Sequence, residues 1–143
     1  MHTNNRKWFR DISDFPLLYV DYHGNKSYST NRDLIVKKAK TLIGSPYLWG
    51  SNGPTSFDSA GFVQFVYKDT LNKSIPRTTF EQLQCGEKVI SITDLLLGDL
   101  VFLSQGAHVG IYIGNNQVIH APFSGQRVKV SYISDFYAGR RYI

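Results

Sequence analysis

Cysteine is almost absent from this chain. Of 143 residues only Cys85 carries a thiol, so no internal disulfide can form and a zinc site built from thiolates is excluded. Any apolar run of the roughly 20 residues that a helix needs to cross a bilayer is missing too, so no membrane span is expected. The opening Met1-His2-Thr3-Asn4-Asn5-Arg6-Lys7-Trp8 lacks the apolar h-region of a secretory leader, and no signal peptide is expected within these residues. There is no His-Glu-x-x-His motif, and His2 and His23 have no partners at metal-ligand spacing, so no metal is expected. Gly50 and Gly53 are not followed by Gly-Lys-Ser/Thr, which removes the phosphate-loop reading. The net charge of +5 comes from Lys and Arg scattered along the chain. Scattered positive charge attracts anionic surfaces in general without selecting one. Without a zinc finger, an aromatic RNA-binding signature or a basic helix, no nucleic-acid partner is expected.

What is present is enough for one compact domain. Hydrophobic residues make up 42% and aromatics 14% of the chain, a composition that builds a core rather than a disordered tract. A chain of this length buries roughly 70% of the surface its unfolded form exposes. Residues 1–30 show no clear periodicity and are expected to form an N-terminal extension, with one strand over Leu17–Tyr22 ending in a turn at His23-Gly24-Asn25. Residues 31–143 are expected to form the domain proper. Asn31-Arg32-Asp33 followed by Leu34, Ile35, Ala39 and Leu42 predicts an amphipathic helix with an Asx cap, closed by Gly44. A loop over Gly50–Ser56 leads to a second helix from Ser59 to about Asp69, and a short third helix starts at Thr78 or Thr79 and stops before Gly86. After Asp94 the pattern turns to short alternating runs, Leu100–Leu103, His108–Ile113, Gln117–His120 and Arg127–Val130. Helices first and a small antiparallel sheet afterwards predict an α+β fold.

Three side chains stand out chemically. Ser59 begins a helix, where unsatisfied N–H groups and the macrodipole favour an anion. His108, Gly110 and Tyr112 share one face of the third strand run, with Val109, Ile111 and Ile113 on the other. If the turn at Gly114-Asn115-Asn116 has three residues, His120 returns to the face of His108 as a diagonal neighbour about 7–8 Å away at the backbone. A two-residue turn would reverse the parity and send His120 into the core. Cys85 falls at a helix end, where the dipole disfavours a thiolate, and reads as a small apolar filler.

Five motifs in order, Pro46-Tyr47-Leu48-Trp49-Gly50, Phe57-Asp58-Ser59-Ala60-Gly61-Phe62, Gly98-Asp99, His108-Val109-Gly110 and Val118-Ile119-His120-Ala121, resemble the NlpC/P60 family of cell-wall cysteine peptidases. The resemblance covers about residues 31–135. It implies a papain-like fold and hydrolysis of peptidoglycan stem peptides at a γ-D-glutamyl to diamino acid bond, without cofactor. It also implies a bacterial protein, secreted or wall-associated, taken as a monomer by default. By the same resemblance position 59 is the nucleophile, His108 the base and His120 the residue that orients it. Tyr47 would shape the oxyanion region, and Trp49, Asp58 and Ala60 would join it in binding substrate, Asp58 as an acid facing the stem's free amine. Asp99 would tie a turn.

The family signature has Cys where Ser59 stands and Ser where Ala60 stands. A hydroxyl has no thiolate population at neutral pH and depends wholly on its base, so the chain is expected to be inactive as it stands. Three readings follow: a hydrolase inactivated by exchange of its thiol, a pseudoenzyme that binds wall peptide or a protein partner, and a serine hydrolase. Ser59 could equally serve only as a helix cap, and Tyr47 only as a core aromatic beside Trp49.

Overall fold

The computed structural model describes residues 17–20 and 26–143. A hairpin of β1 (Leu17–Val20) and β2 (Lys26–Ser29) precedes three helices, α1 (Asn31–Thr41), α2 (Ser59–Leu71) and α3 (Thr79–Leu83). The strand expected over Leu17–Tyr22 is thus found for its first four residues, while Asp21, Tyr22, the His23 turn and His2 lie outside the described residues. Six strands follow: β3 (Glu87–Val89), β4 (Leu100–Leu103), β5 (His108–Gly114), β6 (Gln117–His120), β7 (Lys129–Tyr132) and β8 (Phe136–Arg141). They form one antiparallel sheet in the order β3-β8-β4-β5-β6-β7. This is the expected α+β arrangement, with the last expected strand shifted from Arg127–Val130 to Lys129–Tyr132 and two further strands added.

Capping chemistry places the helices. The cap of α1 is Thr30 rather than Asn31: its hydroxyl accepts from the Asp33 N–H at 3.1 Å, and the Asp33 carboxylate accepts from the Thr30 N–H at 3.0 Å. This reciprocal pair satisfies two orphan donors where an Asx cap would satisfy one. Asn31 is instead buried. On one side of the sheet Ile35 and Ala39 of α1 and Phe62, Val63 and Val66 of α2 meet Leu100, Phe102, Val109, Ile111 and Ile119. Each fully buried Val, Leu, Ile or Phe side chain contributes ~1.5–3 kcal/mol relative to exposure. On the other side Val89, Leu95, Val101, Leu103, Val118 and Ile133 make a smaller cluster.

Asp99, fully buried, ties the helical layer to the sheet. Its carboxylate accepts from Arg32 of α1 at 3.0 Å, from Arg141 of β8 at 2.8 Å and from the Leu96 N–H at 2.8 Å. Tyr67 of α2 donates to the Gly98 carbonyl at 2.6 Å beside it, and burial, together with the nearby Asp99 charge, holds that phenol protonated far above its ordinary range. The turn expected at Gly98-Asp99 therefore anchors two elements as well.

Candidate active site

The helix that carries Ser59 begins where it does because of Asp58. Asp58 adopts extended φ/ψ of −90° and 178°, and its Oδ1 accepts from the Gly61 N–H at 2.6 Å. Ser59 is accordingly the first helical residue and not the cap, which overturns the capping alternative and leaves its hydroxyl without a structural hydrogen bond in the helix. Gly61 is required two residues further on: a Cβ there would meet the Ser51 carbonyl oxygen and stand 2.8 Å from the Asn52 Cα, so any side chain would push away the loop that crosses the helix tip.

Arg77, which the sequence reading passed over, completes the tip. Its guanidinium donates to both Asp58 oxygens, at 3.0 and 2.8 Å, and the Gly50 N–H adds a fourth bond at 3.1 Å. A carboxylate with two oxygens is then close to saturated. Asp58 is therefore held as a cap and an ion-pair partner while it lines the cleft beside Ser59. Gln82 of α3 braces the same region by donating to the Ala60 and Pro76 carbonyls at 3.1 and 2.8 Å.

The two histidines come together through a register that combines both turn alternatives. Asn115 and Asn116, at φ 53° and 60°, form a two-residue turn with Gly114 opposite Gln117. A bulge between Tyr112 and Gly114 then absorbs one residue, so Ile111 faces Ile119 as a three-residue turn would have it. His120 returns opposite Gly110, diagonal to His108, on the sheet face away from Val109, Ile111 and Ile119. Gly110 makes this close approach possible, because a Cβ on it would stand 3.0 Å from the His120 Cβ and from the Ile119 carbonyl. The Nε2 of His108 lies 2.6 Å from the Nδ1 of His120, with the rings edge to face. The Nε2 of His120 lies 2.7 Å from the Ser131 hydroxyl on β7, one residue beyond the expected strand end at Val130.

Burial pushes the His108 imidazole down to about 4. Burial does the same to His120, also to about 4, helped by the charges of His108 and of Lys129, which pairs directly across from it on β7. Both rings are neutral at pH 7, each with one N–H and one lone pair, and both nitrogens of His120 are engaged in hydrogen bonds. Tyr47 is raised by burial and by the Asp58 charge, so its hydroxyl keeps its proton.

A cleft of about 390 Å³ gathers these parts. Tyr47, Trp49, Asp58, Ser59, Ala60, Arg77, Thr78 and His108 all line it, whereas His120 stands behind His108 and does not. The Ser59 hydroxyl makes no hydrogen bond to His108 within this geometry. Trp49 is 83% exposed on the rim and is no core partner for Tyr47, whereas Tyr47 is itself half-buried against the core, as the alternative reading had it. Cys85 is exposed beyond the end of α3, not a buried filler, because Gly86 turns the chain away at φ 76°. Among the described residues no group of three or more His, Cys, Asp and Glu side chains gathers, and no helix is long and apolar enough to cross a membrane.

Comparison with known proteins agrees with this architecture. The chain is 38% identical over 131 residues to Murein DD-endopeptidase MepH of Escherichia coli (strain K12), a match over 87% of this chain and 48% of that protein. It is 40% identical over 115 residues to Protein P54 of Enterococcus faecium, covering 76% of this chain and 22% of the relative. The chain thus spans less than half the length of each of these two. Among solved structures, the NlpC/p60 domain of peptidoglycan hydrolase SagA superposes with a TM-score of 0.73 at 35% identity, over 79% of this chain and 100% of that domain. The model of the NlpC/P60 family matches residues 44–143, and the chain belongs to that family.

Proposed function

We propose that residues 31–143 form a peptidoglycan stem-peptide endopeptidase domain whose catalytic line runs from position 59 through His108 to His120, acting at the bacterial cell wall. The observation that carries this reading is the 2.6 Å contact between His108 and His120 at the back of a cleft that Ser59 lines from a helix tip. The Nε2 of His108 is committed to His120, which leaves Nδ1 as the nitrogen free to serve the cleft. With a thiol at position 59, sulfur attacks the scissile amide carbon while its proton passes to that nitrogen. The oxyanion collects charge at the first turn of α2, close to the Tyr47 hydroxyl. Collapse breaks the C–N bond as His108 returns the proton to the leaving amine, and water then releases the acyl group by the same route.

With Ser59 in place turnover is expected to be absent. A hydroxyl has no thiolate population to draw on and depends wholly on its base, and no hydrogen bond joins Ser59 to His108 in the ligand-free cleft. That same observation favours the second reading, a cleft that binds wall peptide without cutting it. Mixing purified muropeptides with the chain and with Ser59→Cys separates the two. Cleavage by Ser59→Cys alone supports an inactivated hydrolase, and silence in both, with peptide still bound, supports the binding module. Product masses decide the bond. A cut between γ-D-glutamate and the diamino acid is the expected one, and a cut at a bond between two D-centres would instead match the DD-endopeptidase in MepH's name.

A further inference from the structure

We infer that Ser131 is a positioning residue, the terminal hydrogen-bond acceptor that holds the two imidazoles in the one proton arrangement that leaves Nδ1 of His108 bare. The inference rests on the reading of His108 as the base. Two neutral rings carry two N–H protons on four nitrogens. The 2.6 Å contact between them takes one proton, and the 2.7 Å contact from His120 to the Ser131 oxygen takes one. Two arrangements satisfy both contacts. In the outward one, His108 donates through Nε2 to His120, His120 donates through Nε2 to Ser131, and Nδ1 of His108 is a lone pair. In the inward one, Ser131 donates to His120, His120 donates through Nδ1 to His108, and the remaining proton sits on Nδ1 of His108, where it blocks the base.

The charged state removes the ambiguity. Once Nδ1 of His108 has taken a proton, both of its nitrogens are donors, His120 must accept through Nδ1, and its own proton must point at Ser131. Only the outward arrangement serves before and after proton transfer, so no hydroxyl has to turn over during the reaction. Ser131 suits that task because it is half-buried on the edge strand β7, and its own hydroxyl proton has solvent to go to. No carboxylate competes: among the described residues no Asp or Glu bonds either ring, and the charged neighbour across from His120 is Lys129, which cannot accept. An uncharged acceptor is thus supplied by a side chain 11 residues beyond His120 that neither composition nor strand pattern marks.

Nitrogen NMR of the imidazole rings tests this in the chain as it stands, with Ser131→Ala and Ser131→Thr beside it. Both rings are expected as Nε2–H tautomers in the unaltered chain and in Ser131→Thr, whose hydroxyl can still accept. In Ser131→Ala the buried His120 N–H loses its acceptor, and His108 is expected to shift toward the Nδ1–H form. Identical tautomers in all three proteins would overturn the assignment. In the Ser59→Cys background Ser131→Ala should lower kcat by about tenfold or more with KM within about twofold, and Ser131→Thr should restore it. An unchanged kcat would also overturn it. If Ser59→Cys is itself silent, the endopeptidase reading fails while the tautomer result still decides the role of Ser131.

Discussion

Two polar clusters are buried in this domain, and they solve the same problem in opposite ways. Around Asp99 a fully buried carboxylate is met by Arg32, Arg141 and a backbone N–H, so charge is matched by charge and no proton needs to move. Along β5, β6 and β7 the line His108–His120–Ser131 contains no carboxylate at all, and the rings stay neutral because burial makes protonation costly. The first arrangement locks elements together. The second leaves one lone pair at the cleft for chemistry, stabilised only by hydrogen bonds along the line.

Removing the compensating charge should break the comparison most forcefully. Asp99→Ala leaves two arginines and the Leu96 N–H without their acceptor and should cost about 3–5 kcal/mol in urea unfolding, the range found when one side of a buried ion pair is deleted. Next comes the pH response of the neutral cluster. The imidazoles titrate near 6.5 in the unfolded chain and about 4 when folded, so between those values the unfolded state binds more protons. Their stability contribution is complete above about pH 6.5 and is lost as pH falls toward about 4. Unfolding curves of the unaltered chain should show that slope, and His120→Gln should flatten it. A slope unchanged by that substitution would mean that the histidine pair is not its source.

Gly110→Ala should destabilise by about 1–3 kcal/mol, the usual cost of forcing a methyl group into an occupied space. It should also disturb the His108–His120 contact, visible as altered ring resonances. The smallest expected effect is Arg77→Gln, about 1 kcal/mol in thermal or urea unfolding, because the Asp58 pair is partly exposed and Asp58 retains its cap to Gly61.

What the sequence made legible was local. The α2 start, the alternation of β5 and the His120 strand each follow from spacing over a few residues, and the motif order around them carried the fold. Strand β8 was not legible, since Phe136–Arg141 contains Ala138, Gly139, Arg140 and Arg141 and owes its place to partners in β3 and β4 far away in the chain. Thr30 was overlooked as a cap because Asn31 beside it is an equally good capping type, and only the backbone conformation separates them. Arg77 and Ser131 escaped for a common reason: each acts on a partner, Asp58 or His120, that is 19 or 11 residues away and reached through a tertiary contact. The turn at Asn115-Asn116 was undecidable by counting, because a bulge restored the parity that the short turn had reversed.

The central claim is that position 59 and His108 face one another across the cleft as nucleophile and base. Muropeptide turnover by Ser59→Cys, compared with Ser59→Cys/His108→Ala, tests it most directly. The account predicts cleavage by the first and a loss of about a hundredfold or more in the second, with both proteins folded. Equal turnover in the two, or none by a folded Ser59→Cys, would contradict it.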